Sequence, residues 1–261
     1  MGLATSPDQI HWTEYGEVLR ANPPGIWNDA WVATGSVWWQ VDHWRMLFTG
    51  QTYTGVRGIG LATSTDLMHW TRFGNGPVMM NYQPFVVPTS PYWQSRGFVA
   101  GTPLVHTLLA DPYVYPEPID GMLYMVGNSI FDLEPIPTRG CISLWRSHDG
   151  QVWDEVGIIS AEHIYDETEA PKIWKHGDRW YLVLGAARAQ PLLRATMVFT
   201  APTIFGPFEP SPSPQLFLPD NPGWFYVAKV ETNAYGQDIL LGDVGGTLSH
   251  PYSILYEPDG S

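Results

Sequence analysis

The chain of 261 residues holds a single cysteine, Cys141. That excludes an intrachain disulfide framework and a cysteine metal cluster, and Cys141 reads as a small buried hydrophobe. Basic residues are scarce as well: 13 Lys and Arg face 26 Asp and Glu, a formal charge of −13. With no Lys/Arg cluster anywhere, such a chain repels nucleic acid and anionic membranes, so neither is expected as a partner. No window approaches the roughly 18 apolar residues that span a bilayer as a helix. The opening residues MGLATSPDQ lack the basic and apolar regions of a secretion signal. The expected location is the cytoplasm, or outside the cell if a signal peptide has been trimmed. Also missing are a Gly-rich phosphate loop, a G-x-S-x-G elbow, an H-E-x-x-H metal pair and a convincing Cys/His pair, so the expectation for cofactors is none.

What the chain has instead is turn formers and aromatics: 26 Gly, 24 Pro, 13 Trp, and 14% aromatic residues against 15% charged. This composition suits many short strands joined by tight turns and argues against long helices and against disorder. It also repeats itself. GLATSPDQIHW at Gly2 to Trp12 and GLATSTDLMHW at Gly60 to Trp70 differ at three of eleven positions. LWRSHDGQVWDEVG from Leu144 and MVFTAPTIFGPFEP from Met197 are looser copies. Each joins a strand of alternating character to a turn rich in Asp, Gly, Ser or Pro and then to an aromatic that opens a second strand. Upstream of the copies stand aromatic-rich strands, VDHWRMLFTG, IDGMLYMVGN, KHGDRWYLVLGA and AYGQDILLGD. Upstream again comes a strand with an acidic residue at or near its start.

Internal repetition of this kind marks a solenoid or a propeller. Here the repeating unit is a four-stranded blade, and units starting near Asp29, Asp111, Glu169 and Tyr226 predict an all-β propeller that fills residues 1–261 as one domain. The N-terminal copy lacks inner strands. It reads as a clasp that pairs with the C-terminus to complete a fifth blade and protect exposed edges; a four-bladed ring is the alternative. His11 and His69 fall at matching repeat positions and read as packing against Trp12 and Trp70.

Inner strands carry their first residues to one mouth of the central channel, so Asp29, Asp111 and Glu169 are expected to converge there. Each sits among apolar residues, where an unpartnered carboxylate is costly. Glu167, two positions before Glu169, lies on the same strand face and competes with it. Trp27, Asn28, Trp31 and Tyr113 are candidates for holding substrate, with the aromatics stacking on it. Lys229 and Glu231 in YVAKVETNAYG either face the channel too or form a structural ion pair.

WND at Trp27, ADPYVY followed by DGMLYMV, and TEAPKIWKHGDRWYLVLGA resemble, in order, three signature segments of the five-bladed propeller glycoside hydrolases of families 43, 32, 68 and 117. The pattern is nearest to family 43, and it covers most of residues 1–210. The resemblance implies that Asp29 is base or nucleophile, that Asp111 orients substrate and tunes the acid, and that Glu169, followed by Ala170 and Pro171, donates the proton. Some relatives carry a structural cation such as calcium in the channel. Two features depart from the fructan-cleaving members: NDAWVATG replaces Asp-Pro-Asn-Gly, and Ala110 stands where they carry Arg before Asp-Pro. Loss of that bidentate contact argues against fructosides.

The chemistry asks for one carboxyl kept protonated and one carboxylate kept ionised around an oxocarbenium-like transition state. The expected function is hydrolysis of a small neutral saccharide or glycoside by a monomer or homodimer. The alternatives are a propeller of the same fold repurposed as a biosynthetic cyclase or isomerase, and a non-catalytic sugar-binding protein.

Overall fold

A computed structural model describes residues 1–80, 82–86, 89, 94–95, 99–131, 140–160, 165–188, 193–216, 225–233, 235–244 and 247–256. Twenty strands carry the fold among these residues. β1 (Gly2–Thr5) and β2 (Thr13–Glu17) form an antiparallel hairpin of their own. The first blade orders β3 (Trp31–Gln40), β4 (His43–Gln51), β5 (Arg57–Ser64) and β6 (Thr71–Arg72), and β7 (Met79–Met80) also pairs with β5. In the second blade β9 (Pro103–Ile119), β10 (Met122–Phe131), β11 (Gly140–Ser147) and β12 (Asp154–Ser160) follow one another. β8 (Tyr82–Val86) adds to the other edge of β9. The third blade runs β13 (Glu167–His176), β14 (Arg179–Arg188), β15 (Leu193–Ala201) and β16 (Glu209–Leu216). In the fourth, β17 (Phe225–Thr232) and β18 (Asp238–Val244) are followed by the two short strands β19 (Thr247–Leu248) and β20 (Tyr252–Ser253), both on β18.

The inner strands pack in sequence, β3 on β9, β9 on β13 and β13 on β17, which is the ring of a β-propeller. Apolar cores fill the gaps between blades, as the alternation of each strand requires. Trp38, Leu47, Ile59 and Leu61 of the first blade meet Leu123, Met125 and Trp145 of the second. Ile142 and Leu144 meet Ile173, Leu182 and Phe199 between the second and third, and Val183 meets Phe225, Ala228 and Val230 between the third and fourth. Four sheets therefore form the blades among the described residues. No sheet there joins the two ends of the chain, so the fifth blade expected from both termini is replaced by the N-terminal hairpin alone. Met1 anchors it: its amino group donates to Leu19 O (2.7 Å), and its side chain joins Leu19, Met46 and Phe48 beside the first blade. No helix among the described residues is long and apolar enough to cross a membrane.

The repeated phrase is a repeated turn. In the hairpin, Ser6 Oγ accepts from Gln9 N and Asp8 Oδ1 accepts from Ile10 N and His11 N. The same bonds recur from Ser64 and Asp66 to Leu67 N, Met68 N and His69 N, and from Ser147 and Asp149 to Gly150 N, Gln151 N and Val152 N. Short polar side chains hold the loop amides that no strand can reach. The histidines do not pack on tryptophan as expected. His11 and His69 lie exposed, with Nδ1 on Asp8 Oδ2 (2.6 Å) and Asp66 Oδ2 (2.7 Å). Those contacts hold both carboxyls far below the usual range, through the His11 amide first at Asp8 and the His69 ring first at Asp66. A carboxyl depressed in the folded state stabilises above its unfolded value, and that contribution is lost as pH falls toward the folded one.

One turn position has positive φ in all three copies: Gln9 (62°), Leu67 (67°) and Gly150 (70°). Only Gly150 adopts it without a Cβ penalty. A Cβ on Gly150 would also meet Gln40 Oε1 at 2.9 Å and Arg45 Nη1 at 3.0 Å, where Arg45 reaches the Asp149 carbonyl across the blade interface. We therefore expect Leu67→Gly to leave the melting temperature unchanged or raise it. Gly150→Ala should lower it, by about 1–3 kcal/mol of unfolding free energy, in denaturant titrations followed by circular dichroism.

Candidate functional site

All four inner strands bulge at one register. Ala33 pairs with Thr49 and Ser36 with Leu47; Ala110 pairs with Asn128 and Tyr113 with Val126. Glu169 pairs with Gly185 and Lys172 with Val183, and Tyr226 with Asp243 and Lys229 with Leu241. Each inner strand thus spends one residue more than its partner, which is a β-bulge that bends the strand and re-aims its side chains. The first bulge residues are Thr34, Asp111, Ala170 and Val227, and the last three have φ of 52°, 46° and 45°. Left-handed backbone is costly at residues with a Cβ, most of all at a β-branched one. Recurrence at one place in successive blades marks that cost as part of the site.

The bulges converge on a cavity of about 390 Å³. Ala33 and Thr34 line it from the first blade, Ala110 and Asp111 from the second, Glu169 and Ala170 from the third and Val227 from the fourth. Trp31, Thr49, Arg57, Asn128 and Glu167 complete the wall. Asp111 is held from both sides. Its amide donates to Thr49 Oγ1 of the first blade (2.8 Å), and its Oδ2 accepts from the Ala170 amide of the third (2.9 Å) and from Asn128 Nδ2 (3.2 Å). Asn128 Nδ2 also donates to the Thr168 carbonyl (2.8 Å). Glu167 and Glu169 project from one face of β13, as period two requires. Burial pushes the Glu167 carboxyl up, and the charges of Glu169 and then Asp111 add to it, while Arg57 and Arg194 pull it back. Burial, then Glu169, likewise pushes up the Tyr226 phenol. The Arg57 guanidinium lies 5.3 Å from the Trp31 ring, with Nε donating to Gln51 Oε1 (3.1 Å).

Of the residues singled out from sequence, the cavity brings together Asp111, Glu169 and Trp31, with Glu167 beside them. It does not include Asp29. That carboxylate accepts from the amides of Gly25 (2.8 Å) and Tyr53 (3.0 Å), which hold it below its ordinary range, Gly25 the more strongly. Trp27 packs on Phe48 at 5.9 Å, and Asn28, fully buried with φ of 61°, accepts from the Asn22 amide through its Oδ1. Tyr113 is not among the residues that line the cavity; its ring lies 5.0 Å from the Lys172 amine and 5.9 Å from that of Lys229. Lys229 and Glu231 do not pair with each other. Glu231 pairs with Lys172 (2.6 Å), while Lys229 donates to the carbonyls of Ala170 (2.6 Å) and Pro171 (3.1 Å). Burial, then the nearby Lys172 charge, lowers Lys229 to about 7. Arg57, Asn128 and Thr49 were not anticipated. Asn128 had a signal, a polar residue inside the apolar run of DGMLYMVGNSI. Among the described residues no three His, Cys, Asp or Glu side chains are grouped closely enough to hold a metal ion.

No protein-family model matches the chain, and no curated protein matches it. Solved structures do. An endo-arabinase from Bacteroides thetaiotaomicron is 17% identical with a TM-score of 0.68, the match covering 99% of this chain and 87% of that one. A thermostable family-43 glycoside hydrolase is 15% identical at 0.70, covering 99% and 83%. A sucrose-6-phosphate hydrolase from Lactobacillus gasseri is 16% identical at 0.71, where the match covers 98% of this chain but 52% of the other. This chain shares the propeller fold of these hydrolases.

Because buried Asn128 bridges Asp111 to the Thr168 carbonyl, Asn128→Ala leaves an acceptor unpaired and should cost about 1–3 kcal/mol in urea unfolding. Asn128→Asp, which sets a carboxylate against Asp111, should cost more than Asn128→Ala.

Proposed function

We propose that the protein is a glycoside hydrolase that cleaves a small saccharide or glycoside at the bulge-lined cavity, with Glu167 as proton donor. The observation that carries this reading is the grouping of Glu167, Glu169 and Asp111 in one cavity beside Trp31 and Arg57. Cleavage requires a carboxyl that stays protonated at working pH, and Glu167 is the one whose surroundings favour the proton. Asp111, fixed by Asn128 and the Ala170 amide, is the second carboxyl group, which stabilises positive charge at the anomeric carbon or activates water. Glu169 acts through its charge, holding the proton on Glu167. Trp31 offers a ring for a sugar face, and Arg57 offers donors to its hydroxyls. Asp29 ties two loops together instead of reaching the sugar.

One observation favours a second reading, a non-hydrolytic cyclase or isomerase on the same fold. The first-blade position in register with Asp111 is Thr34, so that blade presents no carboxylate to the cavity.

A panel of nitrophenyl glycosides (α-L-arabinofuranoside, β-D-xyloside, galactosides) together with sucrose tests both. Glu167→Gln should lower turnover of sucrose or of a methyl glycoside about 100- to 10,000-fold, the usual worth of a general acid, and that of the nitrophenyl glycosides less, because nitrophenolate leaves with little need of a proton. Asp111→Asn should be equally damaging, and Asp29→Asn should keep most activity. Loss of activity in Asp29→Asn with retention in Glu167→Gln overturns the assignment; a folded wild type that cleaves nothing favours the second reading. Activity needs protonated Glu167 and so falls as pH rises past its raised value. Removing the like charge in Glu169→Gln should shift that alkaline limb of kcat/KM to lower pH, and Arg57→Gln should shift it higher.

A further inference from the structure

A second hollow of about 450 Å³ lies between the fourth blade and the N-terminal hairpin. Val227 lines both it and the carboxylate cavity, so the two spaces adjoin at one residue of left-handed backbone. Its far wall is unusual for a surface. Trp12, 43% exposed at the end of the hairpin loop, and Leu248, 56% exposed, both line it, with Leu241 behind them. Glu231 and Asp243 supply its polar rim, and Lys229 lies at its base, already committed to two backbone carbonyls. An indole and a leucine left in water around a concave space suit a flat apolar group. Lys229, the one cation among the lining residues, is taken up by the carbonyls of Ala170 and Pro171, so nothing in the lining favours an anionic one.

We infer that this hollow binds the leaving-group half of the substrate, and that this half is an uncharged aryl or similarly flat apolar aglycone held against Trp12. The inference rests on the glycosidase reading for its direction, because the bond to be broken must lie at the carboxylates on the near side of Val227. It accounts for the hairpin. Where a full fifth blade would bury its inner surface, two strands tied to the first blade through Met1 carry the Trp12 side chain to the fourth.

The free aglycone separates this inference from the reading it rests on. Saturation-transfer NMR with 4-methoxyphenol should show binding to the wild type, weakened about fivefold or more in Trp12→Ala, in line with the worth of an aromatic stack. 4-Hydroxybenzoate, the anionic counterpart, should bind more weakly than 4-methoxyphenol. With whichever sugar of the panel is cleaved, Trp12→Ala should raise KM for the aryl glycoside without lowering kcat and leave KM for the methyl glycoside unchanged. Trp12 is half exposed on a hairpin that makes its own sheet, so the variant should fold. A phenol that fails to bind, or binds wild type and Trp12→Ala alike, overturns the inference whatever the panel shows. Phenol binding that needs Trp12, in a protein that cleaves no glycoside, leaves the hollow as a binding site and overturns the glycosidase reading instead.

Discussion

The hydrogen bond from the Ala170 amide to Asp111 Oδ2 holds the site together (2.9 Å). Both residues occupy the first position of a bulge, one in the second blade and one in the third, and the bond joins the two bulges directly. A charged acceptor makes this bond stronger than a neutral backbone pair, and it offsets part of the cost of left-handed φ at two residues that carry a Cβ. The Thr49 hydroxyl repeats the device on the other side by accepting from the Asp111 amide, so three of the four blades are tied at the level of the cavity. Thr196 plays a similar part for the fourth blade, bonded to the Phe225 carbonyl and the Ala228 amide. The joining of successive blades and the geometry of the site are therefore one problem. The bulges that let the inner strands bend around the channel are the same ones that turn Asp111 and Glu169 into it.

The electrostatics follow from that convergence. Three carboxyl groups around one cavity cannot all ionise at low cost, and the burden falls on Glu167, the one with burial and two like charges against it. Arg57 and Arg194 relieve the burden only in part. Beyond the cavity, Lys172 and Lys229 lie over the Tyr113 ring and Glu231 answers Lys172. A group that develops positive charge is stabilised by the carboxyl groups at the cavity, which suits an oxocarbenium-like transition state.

Much of this was legible in the sequence, for reasons specific to each feature. The blades were visible because every Ser-x-Asp turn performs the same hydrogen bonding, and GLATSPDQIHW and GLATSTDLMHW had to keep the residues that do it. Trp31, Glu169 and the rival Glu167 were visible because they stand at or near the start of inner strands; Asp111 was visible from its ADPYVY segment, although it lies in the middle of β9. The exact register was not. Asp111 and Glu169 look equivalent in sequence, but Asp111 holds the bulge position that Ala170 holds in the third blade, and Glu169 the paired position that Ala110 holds in the second, an offset of one residue that no propensity reveals. Asp29 was singled out by the WND segment at the start of the first blade, yet its carboxylate is occupied by the Gly25 amide, four residues before it, and by the Tyr53 amide of a second loop. The N-terminal copy announced a clasp, and whether it would pair with the C-terminus depended on strands too short to read.

The central claim is that the clustered carboxyls keep a proton on Glu167. Its most direct test is a carbon-13 NMR titration of protein labelled at the glutamate carboxyls, with the Glu167 signal assigned by its disappearance in Glu167→Gln. The account predicts a midpoint above that of an ordinary glutamate. A Glu167 that titrates at or below the ordinary value contradicts it, and with it the role of Glu167 as the acid.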